Sequence, residues 1–165
     1  MTFRKILLPA LAVLLLSGAG MRRTAQGQTS SQGLSGSWIG VVTLSPELAA
    51  GLGTSIVPLM VTYNSNGTMT EVIQGGGCGG NDSVGVGAWA STANGQFAQT
   101  TNHYNCDHMT YVGNFKVRVS LSVNGSQMSG NVEVIFTDPT GAVQGGGTGS
   151  TFTATQIAVE PIGSN

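Results

Sequence analysis

The sequence has few charged side chains and few of the residues that favour helices. Charged residues make up 8% of the 165 residues, and lysine and arginine together number six. Lys, Glu, Arg and Leu are strong helix formers, so long helices are not expected in the body of the chain. The chain instead holds 26 glycines and is rich in Ser, Thr, Asn and Val. This composition favours an all-β domain with many tight turns.

The N-terminus has the order of segments typical of a secretory signal peptide. Two basic residues precede the apolar run at 6–16, and small residues follow. The run is too short to span a bilayer as an anchor, so we expect residues 1–27 to be removed and residues 28–165 to form a single β-barrel domain. An earlier cut after Ala19 and retention as an N-terminal anchor are the alternatives. The sequence thus predicts a secreted or periplasmic protein.

Basic side chains almost disappear once the signal peptide is removed. Lys116 and Arg118 then stand against seven acidic residues, which gives a net charge of −5 at neutral pH. Nucleic-acid binding depends on Lys and Arg that neutralise phosphates, and anionic membrane surfaces attract the same side chains. The charge balance therefore argues against nucleic acid and against the membrane as partners.

Turn motifs divide the mature chain into short segments. Asn-Gly tolerates the positive φ angles of a type I′ hairpin turn, and Pro followed closely by Gly suits a type I turn with a bulge. Each such motif therefore predicts a hairpin. The motifs are NSNG at 64–67, TANG at 92–95, VNGS at 123–126 and DPTG at 138–141.

Strict alternation of apolar and polar residues marks the extended segments. In YVGNFKVRVSLSV, Phe115, Val117 and Val119 share one face, while Lys116 and Arg118 lie on the other. Eight hairpinned strands with one buried face are best satisfied by an antiparallel up-and-down barrel, which removes exposed sheet edges. A β-sandwich is the alternative. The predicted strands lie near 37–44, 56–63, 68–74, 85–91, 96–104, 111–123, 128–136 and 149–157.

Two loops between predicted strands have features of their own. Residues 45–55 are predicted to contain a helical turn, because the segment opens with Ser-Pro-Glu in N-cap order. This loop could fold over a barrel mouth. VQGGGTGS at 143–150 resembles a phosphate-binding loop only in composition, since it lacks the lysine and the following helix. A bulged or irregular strand is the better interpretation of that segment.

Gly36-Ser37-Trp38 opens the first predicted strand after a short lead-in. A Gly-x-Trp at this place resembles the start of the calycin group, meaning the lipocalins, fatty-acid-binding proteins and avidins, in which that Trp closes one end of an up-and-down barrel. The long first loop followed by a meander of hairpins is also similar to a lipocalin. The later lipocalin signatures and the avidin aromatic pattern are absent.

The chain also resembles uncharacterised bacterial secreted domains, to which no activity is attached. The shared features are Trp38, the hairpin at 66–68, the GxGxW strand at 85–89 and the turn at 138–141. Allene oxide cyclase and dirigent barrels have the same eight-stranded shape. They are the proteins with which an enzymatic function of this barrel would be compared.

HYNCDH at 103–108 holds both histidines of the chain and one of its two cysteines. A tetrahedral metal site would need Cys78, His103, Cys106 and His108, but their spacing fits no established zinc module. In an oxidising compartment two cysteines in one small domain are more often joined. Because both follow odd-numbered strands of a meander, they emerge at the same end of the barrel. We therefore expect a Cys78–Cys106 disulfide at one mouth, and no metal or cofactor.

The predicted fifth strand decides whether the barrel interior is polar. If the face of Gln99 and His103 points inward, the interior is a cavity with a few hydrogen-bonding groups, as in small-ligand sites. If Ala98 and Tyr104 point inward, His103 is solvated. On the first interpretation the candidate ligand-binding residues are Trp38, Phe97, Gln99, Thr101, His103, Tyr111 and Phe115.

Signals for catalysis are few. No Ser-His-Asp order with a nucleophile elbow is present, and Glu71 is the one carboxylate that could face the interior. The leading hypothesis is a secreted binding protein for a small, mainly apolar molecule, with no catalytic residue assigned. The second is a cofactor-free cyclase or isomerase of the allene oxide cyclase or dirigent type, using Glu71, His103 or Tyr104 as acid or base. The third is a structural or interaction protein with a filled barrel.

Overall fold

The alternating segments form eight antiparallel strands that close into an up-and-down barrel, in a computed structural model that describes residues 33–80 and 82–158. The first strand pairs with both the second and the last, so the sheet is continuous around the barrel and the sandwich alternative is wrong. The predicted signal peptide lies outside the described residues. The strands are β1 (Gly36–Thr43), β2 (Ile56–Tyr63), β3 (Thr68–Gly76), β4 (Asp82–Ser91), β5 (Gln96–Asp107), β6 (Thr110–Asn124), β7 (Gln127–Thr137) and β8 (Val143–Gln156).

The last strand begins earlier than the sequence suggests. β8 starts at Val143 and includes the glycine-rich segment, with two register shifts against β7. At Gly146 the φ angle is +151°, and a Cβ there would lie 2.2 Å from the Val134 carbonyl oxygen. The glycines therefore allow β8 to approach β7 closely through an irregular stretch, which confirms the prediction of a bulged strand.

The loop between β1 and β2 carries the one α-helix among residues 33–80 and 82–158, α1 (Pro46–Leu52). The Ser45 side chain accepts a hydrogen bond from the Leu48 backbone N–H, and Gly53 ends the helix in the left-handed conformation, with φ +71°. The predicted helical turn is confirmed. Leu48 is buried, so α1 is anchored at the rim of the barrel. In the described part of the chain no helix has the length and apolar character needed to cross a membrane.

The two ends of the barrel differ in packing. The end where the chain enters β1, which we name the closed end, is filled by Leu34, Trp38, Tyr63, Trp89 and Phe97. The Trp38 indole N–H donates a 3.0 Å hydrogen bond to the Leu34 carbonyl oxygen, and Trp89 makes edge-on contacts with Tyr63 and Phe97. A tryptophan at one end of the barrel is what the calycin resemblance implies.

The opposite end, which we name the open end, carries α1 and the loops that follow β3, β5 and β7. Cys78 and Cys106 form a disulfide there, with their Cα atoms 5.0 Å apart, which confirms that prediction. The Gly79 N–H donates to the His108 carbonyl oxygen beside it. The two loops are thus joined by a covalent bond and a backbone hydrogen bond. In the loop after β7, the Thr140 hydroxyl donates to Asp138 and holds the pKa of that carboxyl below its usual range.

Candidate functional site

The inner face of β5 carries polar side chains. Phe97, Gln99, Thr101 and His103 alternate with outward-facing residues and are all buried, so the polar-interior interpretation of this strand is correct. Tyr104 is 68% exposed and faces solvent. The barrel interior therefore has one polar wall.

Two glycines of β4 make this wall possible. Glu71 on β3 pairs with Gly85 on β4, which pairs with His103 on β5, so the three residues form one row across the barrel wall. A Cβ on Gly85 would lie 2.3 Å from His103 Nε2, and a Cβ on Gly87 would lie 2.7 Å from the Thr101 methyl carbon. Because both positions lack a side chain, His103 and Thr101 can reach over β4 to Glu71. The small residues of β4 therefore allow close packing of this wall.

Glu71 is the centre of a buried hydrogen-bond network. Its Oε2 atom accepts a 2.8 Å hydrogen bond from the Thr101 hydroxyl and lies 3.1 Å from His103 Nε2. The His103 ring is stacked on Phe115, with 4.5 Å between ring centroids and 7° between planes. A buried carboxylate needs such donors, because an unpaired charge in the interior is costly. The ring of His103 is thus held in one orientation by Glu71 and Phe115.

A second buried polar pair, Tyr63 and Gln99, lies near Glu71. The Tyr63 hydroxyl donates to the Gln99 side-chain oxygen. Burial raises the pKa of the Tyr63 phenol well above its usual range, and the nearby Glu71 charge raises it further. Tyr63 therefore stays protonated as a donor. Sequence reasoning overlooked Tyr63 as a polar group, although its position on the inner face of β2 could have identified it.

A cavity of about 280 Å³, which we name the inner cavity, lies between this polar wall and the open end. Its walls are mainly aliphatic and aromatic, and Glu71, Gln74 and Gln99 supply polar groups. Leu52, Thr54 and Asn105 lie at its rim. The apolar lining residues are Val42, Leu44, Leu52, Val57, Leu59, Ile73, Phe115, Val117, Val119, Val132, Val134, Phe136 and Phe152.

Six of the seven candidate ligand-binding residues fall into three groups inside the barrel. Gln99 and Phe115 line the inner cavity. Thr101 and His103 lie behind it and contact Glu71. Trp38 and Phe97 are in the packed closed end. The structure therefore brings four of the seven candidates together around Glu71.

Tyr111, the seventh candidate, is placed outside the barrel and is 42% exposed. A register shift between Asn105 and Cys106 interrupts the β5–β6 ladder, and Gly113 adopts a φ angle of +144°. The inward–outward alternation of β6 therefore does not extend to Tyr111. Its ring packs edge-on against Tyr104, which is more exposed still. Neither tyrosine can serve inside the barrel, so Tyr104 is also removed from the acid–base candidates.

The metal hypothesis for the HYNCDH segment is not supported by the geometry. Both cysteine sulfurs are in the disulfide, His103 points inward, and His108 lies on the outside beside Asp107. Among residues 33–80 and 82–158, no group of three or more His, Cys, Asp or Glu side chains is arranged to hold a metal ion.

Ser83 is a polar residue of the site that sequence reasoning missed. It is buried on the inner face of β4, and its hydroxyl lies 3.2 Å from His103 Nδ1. Both ring nitrogens of His103 therefore have partners, Glu71 on one side and Ser83 on the other. The alternation of β4 places Ser83 inward, and that was the available signal.

No protein-family model, curated protein or solved structure matches the chain. The likeness to calycins is therefore one of barrel shape and strand order.

Proposed function

We propose that this protein is a secreted binding protein of calycin-like form that holds a small, mainly apolar molecule in the inner cavity. The observation that carries the proposal is the cavity itself, about 280 Å³ with apolar walls and a carboxylate at its inner end. A filled barrel would leave no such space. The disulfide supports an oxidising compartment.

The size and polarity of the cavity define the class of ligand. Ligand sites usually have volumes of roughly 300–1,000 Å³, so a cavity of about 280 Å³ suits a small molecule of at most three rings or a short branched chain. Both hydrogen bonds that Glu71 accepts from residues 33–80 and 82–158 go to Oε2, so we assign Oε1 as the acceptor for a ligand. The ligand we propose therefore has an apolar body and one hydroxyl or N–H group.

A binding experiment with a fluorescent probe tests the location. N-phenyl-1-naphthylamine is apolar and carries one N–H, and its emission rises when it leaves water. Val117 lines the inner cavity, so we expect Val117→Phe to fill the space and weaken probe binding at least tenfold. Val143 is 69% exposed, so Val143→Phe adds the same ring outside the barrel and should bind the probe as the unaltered protein does. Equal binding by both variants would place the probe elsewhere and refute an interior site.

The role of Glu71 is tested by a ligand pair that differs in one N–H group. Hydrogen bonds to charged groups contribute about 1 kcal/mol more than neutral ones, so Glu71→Gln should weaken N-phenyl-1-naphthylamine binding about fivefold to tenfold. 1-Phenylnaphthalene lacks the N–H, and we expect its affinity to change less than twofold. Isothermal titration of both probes against both proteins measures the difference. If both probes lose affinity equally, Glu71 acts on the cavity shape and not as an acceptor.

A further inference from the structure

Ser83, His103 and Glu71 form a linear chain of hydrogen bonds across three neighbouring strands. The Ser83 hydroxyl is 3.2 Å from His103 Nδ1, and His103 Nε2 is 3.1 Å from Glu71 Oε2. All three side chains are buried. A nucleophile within hydrogen-bond reach of a base, with the base oriented by a carboxylate, is the arrangement that activates serine in acyl transfer. Here it arises without any nucleophile elbow in the sequence.

The hydrogen-bond partners assign the protons. A carboxylate oxygen only accepts, so the bond between Glu71 Oε2 and His103 uses the proton on Nε2. In neutral His103 the other nitrogen, Nδ1, then has a free lone pair and accepts the Ser83 O–H. The hydroxyl has a second contact, 3.5 Å from the Tyr104 carbonyl oxygen, which is the longer of the two. Ser83 is therefore positioned to give its proton to His103.

Ser83 and His103 are buried, and they border a space other than the inner cavity. They line a second space of about 660 Å³, which we name the outer cavity, beside Cys78 and the disulfide. Glu71 lines the inner cavity and is not part of this second wall. Glu71 thus borders one space and Ser83 the other, and the buried His103 side chain connects them by hydrogen bonds.

The outer cavity presents apolar surface next to the nucleophile. Val84, Val86 and Tyr104 all line it, and each is more than half exposed. Such side chains can cover the apolar part of a substrate, while Asn102 and Asn114 add neutral polar groups at the same wall. Asp82 is the one charged side chain that the described residues place there, so a neutral substrate is favoured over an anion.

We propose that Ser83 is an acyl-accepting nucleophile for small neutral esters with an apolar body, and that His103 is its general base. The Ser83 oxygen forms a bond to the ester carbonyl carbon as its proton passes to His103 Nδ1. The tetrahedral intermediate then breaks the bond to the leaving alcohol, which takes that proton. The product is an acyl-serine, and a water molecule activated by His103 releases the acid in the same manner. Glu71 acts through His103 as a positioning residue.

The test uses p-nitrophenyl acetate with the mature, disulfide-bonded protein. We expect one p-nitrophenolate to be released rapidly per protein molecule, and peptide mapping by mass spectrometry to place the acetyl group on Ser83. Ser83→Ala should abolish the burst. His103→Gln should slow it about 100-fold or more, the usual contribution of a general base. Ser129→Ala, on the outer face of β7, is the matched control and should react as the unaltered protein does.

Two further measurements keep the result interpretable. Glu71→Gln should lower the rate of acylation at saturating ester without changing the half-saturating concentration, because Glu71 does not line the outer cavity. Peptide mapping of the unaltered protein needs no variant, so it locates the acetyl group even if a substitution impairs folding. Absence of acylation, or an acetyl group found only on Lys116 or another surface residue, overturns the proposal. Ser83→Ala should still bind N-phenyl-1-naphthylamine, so the outcome is independent of the proposed binding function.

Discussion

Gly85→Ala is expected to lower the free energy of unfolding by about 3 kcal/mol, because overpacking and the loss of a buried polar pair act together. The new Cβ would lie 2.3 Å from His103 Nε2, so the imidazole must leave its place. Glu71 then loses the partner that reaches it across β4. Urea unfolding followed by circular dichroism measures the change.

The matched control for this substitution is Gly145→Ala in β8. A Cβ at Gly145 has no atom within 4 Å among the described residues, so we expect a change within about 0.5 kcal/mol. A double-mutant cycle isolates the cause. In a His103→Ala background the ring is absent, and Gly85→Ala should cost less than about 1 kcal/mol. An equally large penalty in that background would show that the clash is with the strand itself and not with His103.

The barrel could be predicted from the sequence because its signals are local. The alternation through Phe115, Val117 and Val119 and the Asn-Gly and Pro-Thr-Gly turns each depend on a few neighbouring residues, and each agrees with the same meander. The disulfide followed from the same topology, since strands three and five end on one side. The end of this alternation near Tyr111 could not be predicted. It depends on the register shift between Asn105 and Cys106, which lie on β5, the strand that pairs with β6.

The polar network could be predicted only in part, because it depends on pairing between distant segments. Both faces of β5 mix small and polar residues, so its sequence alone does not choose an inward face. The choice follows from Gly85 and Gly87, which leave room for His103 and Thr101 and become their neighbours only when β4 and β5 pair in this register. Glu71 was identified by alternation, whereas the role of Ser83 required the position of the His103 ring.

Gly85 and Gly87 link the fold to both the proposed binding site and the proposed nucleophile. They place a carboxylate inside a barrel that is otherwise mostly apolar, where it is satisfied by Thr101 and His103 and still borders the inner cavity. They also bring the opposite nitrogen of His103 to Ser83 at the outer cavity. A Gly-x-Gly pair on the strand between an acid and a histidine is therefore the feature of this sequence most closely tied to its chemistry.

Removal of the disulfide is expected to lower the free energy of unfolding by about 3.5 kcal/mol. The bond closes a loop with a sequence separation of 28 residues, and the loss of chain entropy in the unfolded state accounts for a stabilisation of that size. The variant Cys78→Ser with Cys106→Ser should show it in urea unfolding at pH 7. Its far-ultraviolet circular dichroism should stay unchanged, because the ladders of β3 with β4 and β5 with β6 do not depend on the bond.

The reduced form of the unaltered protein is the control for the two substitutions, since it lacks the bond but keeps both side chains. We expect it to unfold at the same urea concentration as the double variant. Hydrogen exchange should then increase first in the loops around Cys78 and Cys106 and leave the closed end near Trp38 protected, because that end is packed independently of the bond. If exchange increases equally at both ends, the disulfide supports the whole barrel and not only the open end.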